Sequence, residues 1–182
     1  NQVGRIAVNG MSFANRGGAW GNAAVVVGLE VADYGASDPM AGFRWRDELE
    51  RECFELAGGE YGAPAQRVVH FLRGQKSEEL PKSSYPMNLV SVDLNKVFPG
   101  PISHSLAAAL RQFDQKLKGF AGDEALLIAP ETRTASPIRF DRHPMPGLFV
   151  VGEGAGRAGG IVSSAMDGLR VGRSIVAAAK TD

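Results

Sequence analysis

Nine residues near the end of the chain, GEGAGRAGG at 152–160, have the composition of a ligand-binding loop. They follow an apolar run, LFVV at 148–151, and precede a stretch from 161 to 179 with helical apolar spacing. Glycines at a strand-to-helix junction free backbone N–H groups at the helix N-terminus, which favours an anionic or carbonyl-bearing ligand. Gly154-Ala-Gly156-Arg-Ala-Gly159 also satisfies G-x-G-x-x-G, the pattern that cradles a dinucleotide pyrophosphate. The complete fingerprint requires a second strand ending in an acid about 20 residues later, inside a unit of about 30 residues. Asp182 follows directly on the expected helix, so the run is not expected to be that fingerprint in its simple form. Glycines that merely permit a tight crossing are the plain alternative. The density of the run and the acid at Glu153 favour a ligand.

Other candidate chemistry is sparse. His70, His104 and His143 are widely spaced without a paired ligand pattern, so no metal site is expected. His70, within VVHFL, reads as a satisfied core histidine. The single cysteine, Cys53, excludes an internal disulfide and agrees with a reducing, cytoplasmic setting. It falls on the apolar face of an expected helix and reads as a core residue. No G-x-S-x-G is present, so triad hydrolysis has no support. Residues 15–18 (NRGG) either line a cavity or connect a hairpin. Trp20 and Trp45 read as packing residues, because no basic stripe accompanies them.

The elements that must position the loop follow from composition and spacing. The 182 residues suffice for one domain, or one domain with an appendage, and 44% apolar with 22% charged residues is a soluble globular balance. Twenty basic and twenty acidic side chains cancel, which removes broad attraction to nucleic acid or anionic membrane. No apolar run reaches the roughly 18 residues of a membrane span, since Glu30 interrupts the best one. Of the 23 glycines, eight fall in residues 147–172, which concentrates the expected function there. Strands are expected at 3–9, 23–31, 125–134, 138–140 and 148–151, with a short extended piece at 87–94. Helices are expected at 38–57, 103–117 and 161–179, the first opening on an Asp38-Pro39 cap. In the last helix, Ile161, Ala165, Gly168, Leu169, Gly172 and Ile175 form the face expected to pack, or to be exposed where a partner domain is missing, and Ser163, Asp167, Arg170 and Ser174 the polar stripe. The fold class is mixed α/β, a mixed sheet with amphipathic helices, ending in a strand, a glycine loop and a helix.

The run LFVVGEGAGRAGGIVSSAMDGLRVG resembles the C-terminal flavin motif of the uncharacterised FAD-dependent dehydrogenases, a bacterial branch of the glutathione-reductase-like flavoproteins. NGMSFANRGGAWGNAAVVV, APAQR at 63–67 and APETRTASPIRF at 129–140 extend the resemblance over nearly the whole chain. The resemblance implies an FAD-dependent oxidoreductase in which Gly152 and Glu153 lie beside the ribityl and pyrophosphate groups. Gly154, Ala155 and Gly156 would be close-approach backbone, and Gly159, Gly160 and Ile161 would direct amides at flavin N1 and the C2 carbonyl. Arg133 would be a second cation near the flavin or substrate. Its alternative is an ordinary strand arginine paired with Glu131 or another acid.

The family's N-terminal FAD-binding segment is expected to lie upstream of Asn1, which makes the chain a fragment and that segment its partner. Residues 1–146 would then be the distal substrate-side domain, and residues 147–182 would return to the FAD-binding domain. Alone, the chain is expected to hold FAD weakly or not at all and to be inactive. NAD(P)H is the implied electron donor. Substrate, catalytic residues and any homo-oligomer stay open. The alternative class is a non-catalytic α/β module that binds a small ligand or a partner.

Overall fold

Leu49 and Cys53 recur one helical turn apart and are the buried residues of a 16-residue helix, α2 (Ala41–Leu56). The computed structural model describes residues 3–10, 14–34, 38, 40–132, 136 and 139–179. Its chain forms two compact units, Asn1–Thr132 and Arg133–Asp182. In the first, a four-residue α1 (Val31–Tyr34) precedes α2. There follow β1 (Ala63–Arg67), α3 (Val68–Phe71), β2 (Leu89–Ser91), α4 (Leu94–Val97), α5 (Gly100–Lys116) and β3 (Leu126–Ile128). The second unit carries α6 (Ile161–Ala178). The mixed α/β class is what the residue pattern predicts.

β1 is the centre of a three-stranded sheet ordered β2-β1-β3, parallel to β2 and antiparallel to β3. Ala63 lies opposite Leu89, and Ala65 lies opposite both Ser91 and Ile128. Nothing in the spacing of APAQR marks a strand, because Pro64 lacks the N–H that a central strand uses. The structure tolerates it at the end of the β3 ladder, where the Pro64 carbonyl still accepts the Ala129 N–H at 3.0 Å. Gln66, fully out of water in the same strand, is satisfied at both ends. Its Nε2 donates to the Gln75 carbonyl and its Oε1 accepts the Leu94 N–H, each at 2.8 Å. That second bond caps the first turn of α4 together with Asp93, whose carboxylate accepts the Asn95 N–H.

Ser77, also buried, straps the 74–79 loop onto the sheet. Its Oγ accepts the Arg67 N–H at 2.9 Å and lies 3.0 Å from His70 Nδ1, and its carbonyl accepts the Ser91 hydroxyl. His70 is thus satisfied and half-buried, as VVHFL suggests. Around the sheet, Ile6, Leu49, Cys53, Ala63, Val68, Phe71, Leu94, Val97, Leu110 and Ala129 form one apolar core.

Several expected elements differ. Residues 3–9 make no ladder: residues 3–4 form a turn with Gly4 at φ +73°, Ile6 is buried and its N–H donates to the Glu50 carbonyl, and the Val8 N–H donates to the Pro130 carbonyl. Residues 23–30 likewise join no ladder, and Val31 starts α1. Asp33 accounts for that turn, since its carboxylate reaches back to the Glu30 N–H at 2.7 Å, half of a capping box. α2 starts at Ala41 rather than at 38, although Asp38 still accepts the Met40 N–H and pairs with Arg44. α5 begins before Ser103, because prolines at 99 and 101 suit a helix start, where no intrahelical N–H bond is lost. The expected strand at 148–151 has only an isolated bridge between Met145 and Leu148. An apolar run becomes a strand only with a ladder partner, and the described residues provide none there. Residues 134 and 138, where two expected strands end or begin, lie outside the described residues.

Leu110, 1% exposed, joins α5 to the core. Leu110→Ala is expected to lower the stability of the first unit by about 2–5 kcal/mol in denaturant titration. A loss below about 1 kcal/mol would show that α5 does not carry that core. Burial, with Glu52 and Glu50 adding to it, pushes the Cys53 thiol up to about 12. The native chain is therefore expected to resist an aromatic disulfide reagent at pH 8 and to react promptly once denatured.

Candidate glycine-loop site

Gly152 and Gly156 take φ values of +80° and +67°, conformations that L side chains rarely adopt. They shape residues 152–157 into a folded turn, with the Gly156 N–H on the Glu153 carbonyl at 2.9 Å and the Arg157 N–H on the Gly152 carbonyl at 3.2 Å. Phe140 ties this turn to the preceding chain: its N–H donates to the Ala155 carbonyl, and its own carbonyl accepts Arg157 Nη2 at 2.6 Å. Ala155 is 1% exposed and its carbonyl is taken by the Phe140 N–H, so this residue packs the turn rather than facing a ligand. Gly154 and Gly159 are exposed, with open space where a Cβ would stand.

The loop ends at Gly160, the extended residue before α6. The first helical bond is Ser164 N–H to the Gly160 carbonyl, at 2.8 Å. The N–H groups of Ile161, Val162 and Ser163 therefore have no intrahelical acceptor, and they lie at the positive end of the helix. Ile161 itself is 92% exposed. Glu153 is half-buried. Arg133 lies outside the described residues. The structure thus brings Gly152, Glu153, Gly154, Ala155 and Gly156 into one turn, with Gly159, Gly160 and Ile161 at the helix start.

In α6 the face expected either to pack or to be exposed is largely exposed, Ser163, Arg170 and Ser174 are exposed as expected, and Asp167 alone of the polar stripe departs. Ile161, Leu169 and Ile175 are exposed, and Asp167 is 5% exposed. The buried side is Ser164, Asp167 and Val171, spaced three and four apart. The physical reason is the Asp167 carboxylate. Its Oδ2 accepts the Gly152 N–H at 3.0 Å and its Oδ1 accepts Arg142 Nη2 at 2.5 Å. Two charge-assisted bonds fix which side of α6 meets the turn. Neither Arg142 nor Asp167 stands out in the sequence. The available signal was an acid between helix positions next to a glycine turn, with an arginine before it.

His143 and Phe149 close the chain before the loop, with an edge-on ring contact at 4.8 Å, and the Val150 N–H donates to the Arg142 carbonyl. Among the described residues, no group of three or more His, Cys, Asp or Glu could hold a metal ion. No helix among them is long and apolar enough to cross a membrane.

Residues 1–134 match the family model described as "FAD-dependent protein, C-terminal domain-like", and the chain belongs to that family. An uncharacterised protein of Clostridium beijerinckii is 35% identical over 184 residues, an alignment covering 97% of this chain. The chain spans about a third, 34%, of that relative's length. The family match ends beside the boundary of the first unit, so the glycine loop lies beyond it.

The Arg142 guanidinium, followed by the Gly152 N–H, holds the Asp167 carboxyl at about 2, below its ordinary 3.8. A carboxyl held down in the folded state contributes stability that is complete above its unfolded value and fades as pH falls through the folded one. Acid titration is therefore expected to loosen the second unit between about pH 4 and pH 2. Asp167→Ala should lack that phase, as followed by exchange or near-ultraviolet dichroism.

Proposed function

We infer that this chain is the C-terminal part of an FAD-dependent oxidoreductase, of the dehydrogenase type in the glutathione-reductase-like branch. The observation that carries this reading is the family match over residues 1–134. The turn at 152–157 and the start of α6 support a flavin-facing role for the second unit. The fit rests on the chain's own backbone: open space beside Gly154 and Gly159, and a helix start whose Ile161 N–H, with those of Val162 and Ser163, has no intrahelical acceptor.

In this reading Gly152 and Glu153 hold the ribityl and pyrophosphate region, and Gly154, Ala155 and Gly156 offer close-approach backbone. Gly159, Gly160 and Ile161 direct their amides at flavin N1 and the C2 carbonyl, with Arg133 as a second cation. FAD supplies the electron transfer itself, and the protein orients it and tunes its electronics. A helix N-terminus favours the negative charge that a reduced flavin carries, by about 0.3–2 kcal/mol. Residues 1–146 form the substrate side, and residues 147–182 return to the FAD-binding domain. NAD(P)H is the electron donor of this proposal, and the cytoplasm its setting.

The remaining partner is an N-terminal FAD-binding segment, which supplies the pyrophosphate loop and the adenosine ribose contact. The outer side of α6 supports this. Ile161, Val162, Met166, Leu169 and Val176 are each more than half exposed, an apolar surface larger than scattered single residues account for. Relatives with more chain have the material to cover it.

The test is flavin content. The full-length protein is expected to purify with visible flavin absorbance near one flavin per chain, and the 182-residue chain alone with little or none. Gly160→Val in the full-length protein should remove flavin retention. A colourless full-length protein overturns the oxidoreductase reading in favour of a non-catalytic ligand or partner module. A yellow 182-residue chain overturns the need for the N-terminal segment.

A further inference from the structure

The loop leaves the chain at Gly152 and returns at Gly160, and one helix controls both ends. Gly160 is the residue on which α6 begins, and Gly152 is held by a side chain two turns further along that helix, Asp167. The same carboxylate takes Arg142, whose backbone carbonyl binds the Val150 N–H. Three stretches, 142, 150–152 and α6, thus converge on one carboxylate that is almost wholly out of water. We propose that Asp167 is a positioning residue of the glycine-loop site: by holding the Gly152 N–H and Arg142 on its two oxygens, it sets the loop's departure point against the helix start that faces the ligand.

This rests on the flavin reading above and deepens it. Asp167 does not touch the ligand. It acts through Gly152, whose carbonyl anchors the Arg157 N–H and with it the whole 152–157 turn. The Gly152 N–H bond to Asp167 is what joins the turn to α6.

The chemistry requires a carboxylate. Both partners are donors, and a carboxylate offers an acceptor oxygen to each. An asparagine has one acceptor oxygen, and its amide nitrogen would face the second donor. Arg142 has little alternative, because its Nη1 is buried with no hydrogen-bond partner among the described residues. Neutralising Asp167 therefore removes the carboxylate from a half-buried guanidinium whose Nη1 has no other partner among the described residues, and the cheapest relief is for Arg142 and the 150–152 stretch to move outward. That movement displaces the loop from the helix start.

The experiment compares the wild-type full-length protein with Asp167→Asn and Arg142→Met. In Asp167→Asn the FAD dissociation constant is expected to rise about tenfold or more, as for loss of one charge-assisted bond. The midpoint potential of the bound flavin should become more negative, since amides displaced from N1 no longer favour the reduced form. A merely structural aspartate would lower the melting temperature and leave that potential in place. Arg142→Met, which keeps the Gly152 bond, is expected to shift the potential less than Asp167→Asn.

If Asp167→Asn fails to fold, hydrogen exchange on the wild-type holoprotein decides, with the Gly152 amide expected among the slowest of residues 150–160. A yellow wild type with an unaltered dissociation constant and potential in the folded variant overturns this inference alone. So does a fast-exchanging Gly152 amide. A colourless wild type overturns the flavin reading, and this inference with it.

Discussion

A polar group removed from water must find a partner, and each of the two units is organised around a side chain under that constraint. In the first it is Gln66, in the middle of β1. Its amide is satisfied by the Gln75 carbonyl and the Leu94 N–H, which fixes the 74–79 loop on one side and the start of α4 on the other. The apolar core could tolerate small shifts of those elements, but the hydrogen bonds could not. In the second unit it is Asp167, whose two oxygens determine which side of α6 turns inward. The isoleucines and leucine of that helix face out.

The outward apolar face and the glycine loop have a common origin. A helix whose inner side is used to hold a turn has its apolar side free for another element. The family to which the chain belongs is that of a C-terminal domain, and the chain spans 34% of its relative from Clostridium beijerinckii. A unit that presents backbone amides at one end and an apolar face along its length is suited to complete a site rather than to form one alone. The first unit, in contrast, has its own apolar core around the three-stranded sheet.

Where the pattern in the sequence was strong, the structure agrees with it. Leu49 and Cys53 mark α2, and Leu106 and Leu110 mark α5, because apolar residues a turn apart are buried together, although Phe113 and Leu117, which continue that spacing, are exposed. Residues 152–160 form a turn ending at a helix start, as strand-end glycines suggest. Where pairing was needed, the pattern misled. Residues 23–30 and 148–151 have strand composition without ladders, while β1 has a proline, a glutamine and an arginine and is the central strand. Strand formation depends on a neighbour distant in sequence, and composition does not reveal that neighbour.

The sequence by itself determined the mixed α/β class, the main helices, the inert buried cysteine and the position of the glycine loop. Each follows from local spacing or from glycine's freedom of φ, and neither needs a distant partner. Only the tertiary structure decided that APAQR is the sheet's centre, that α6 turns its apolar side outward, and that Asp167 joins Gly152 to Arg142. Those depend on which donors and acceptors meet across 10 to 28 residues of chain, a matter of three-dimensional pairing.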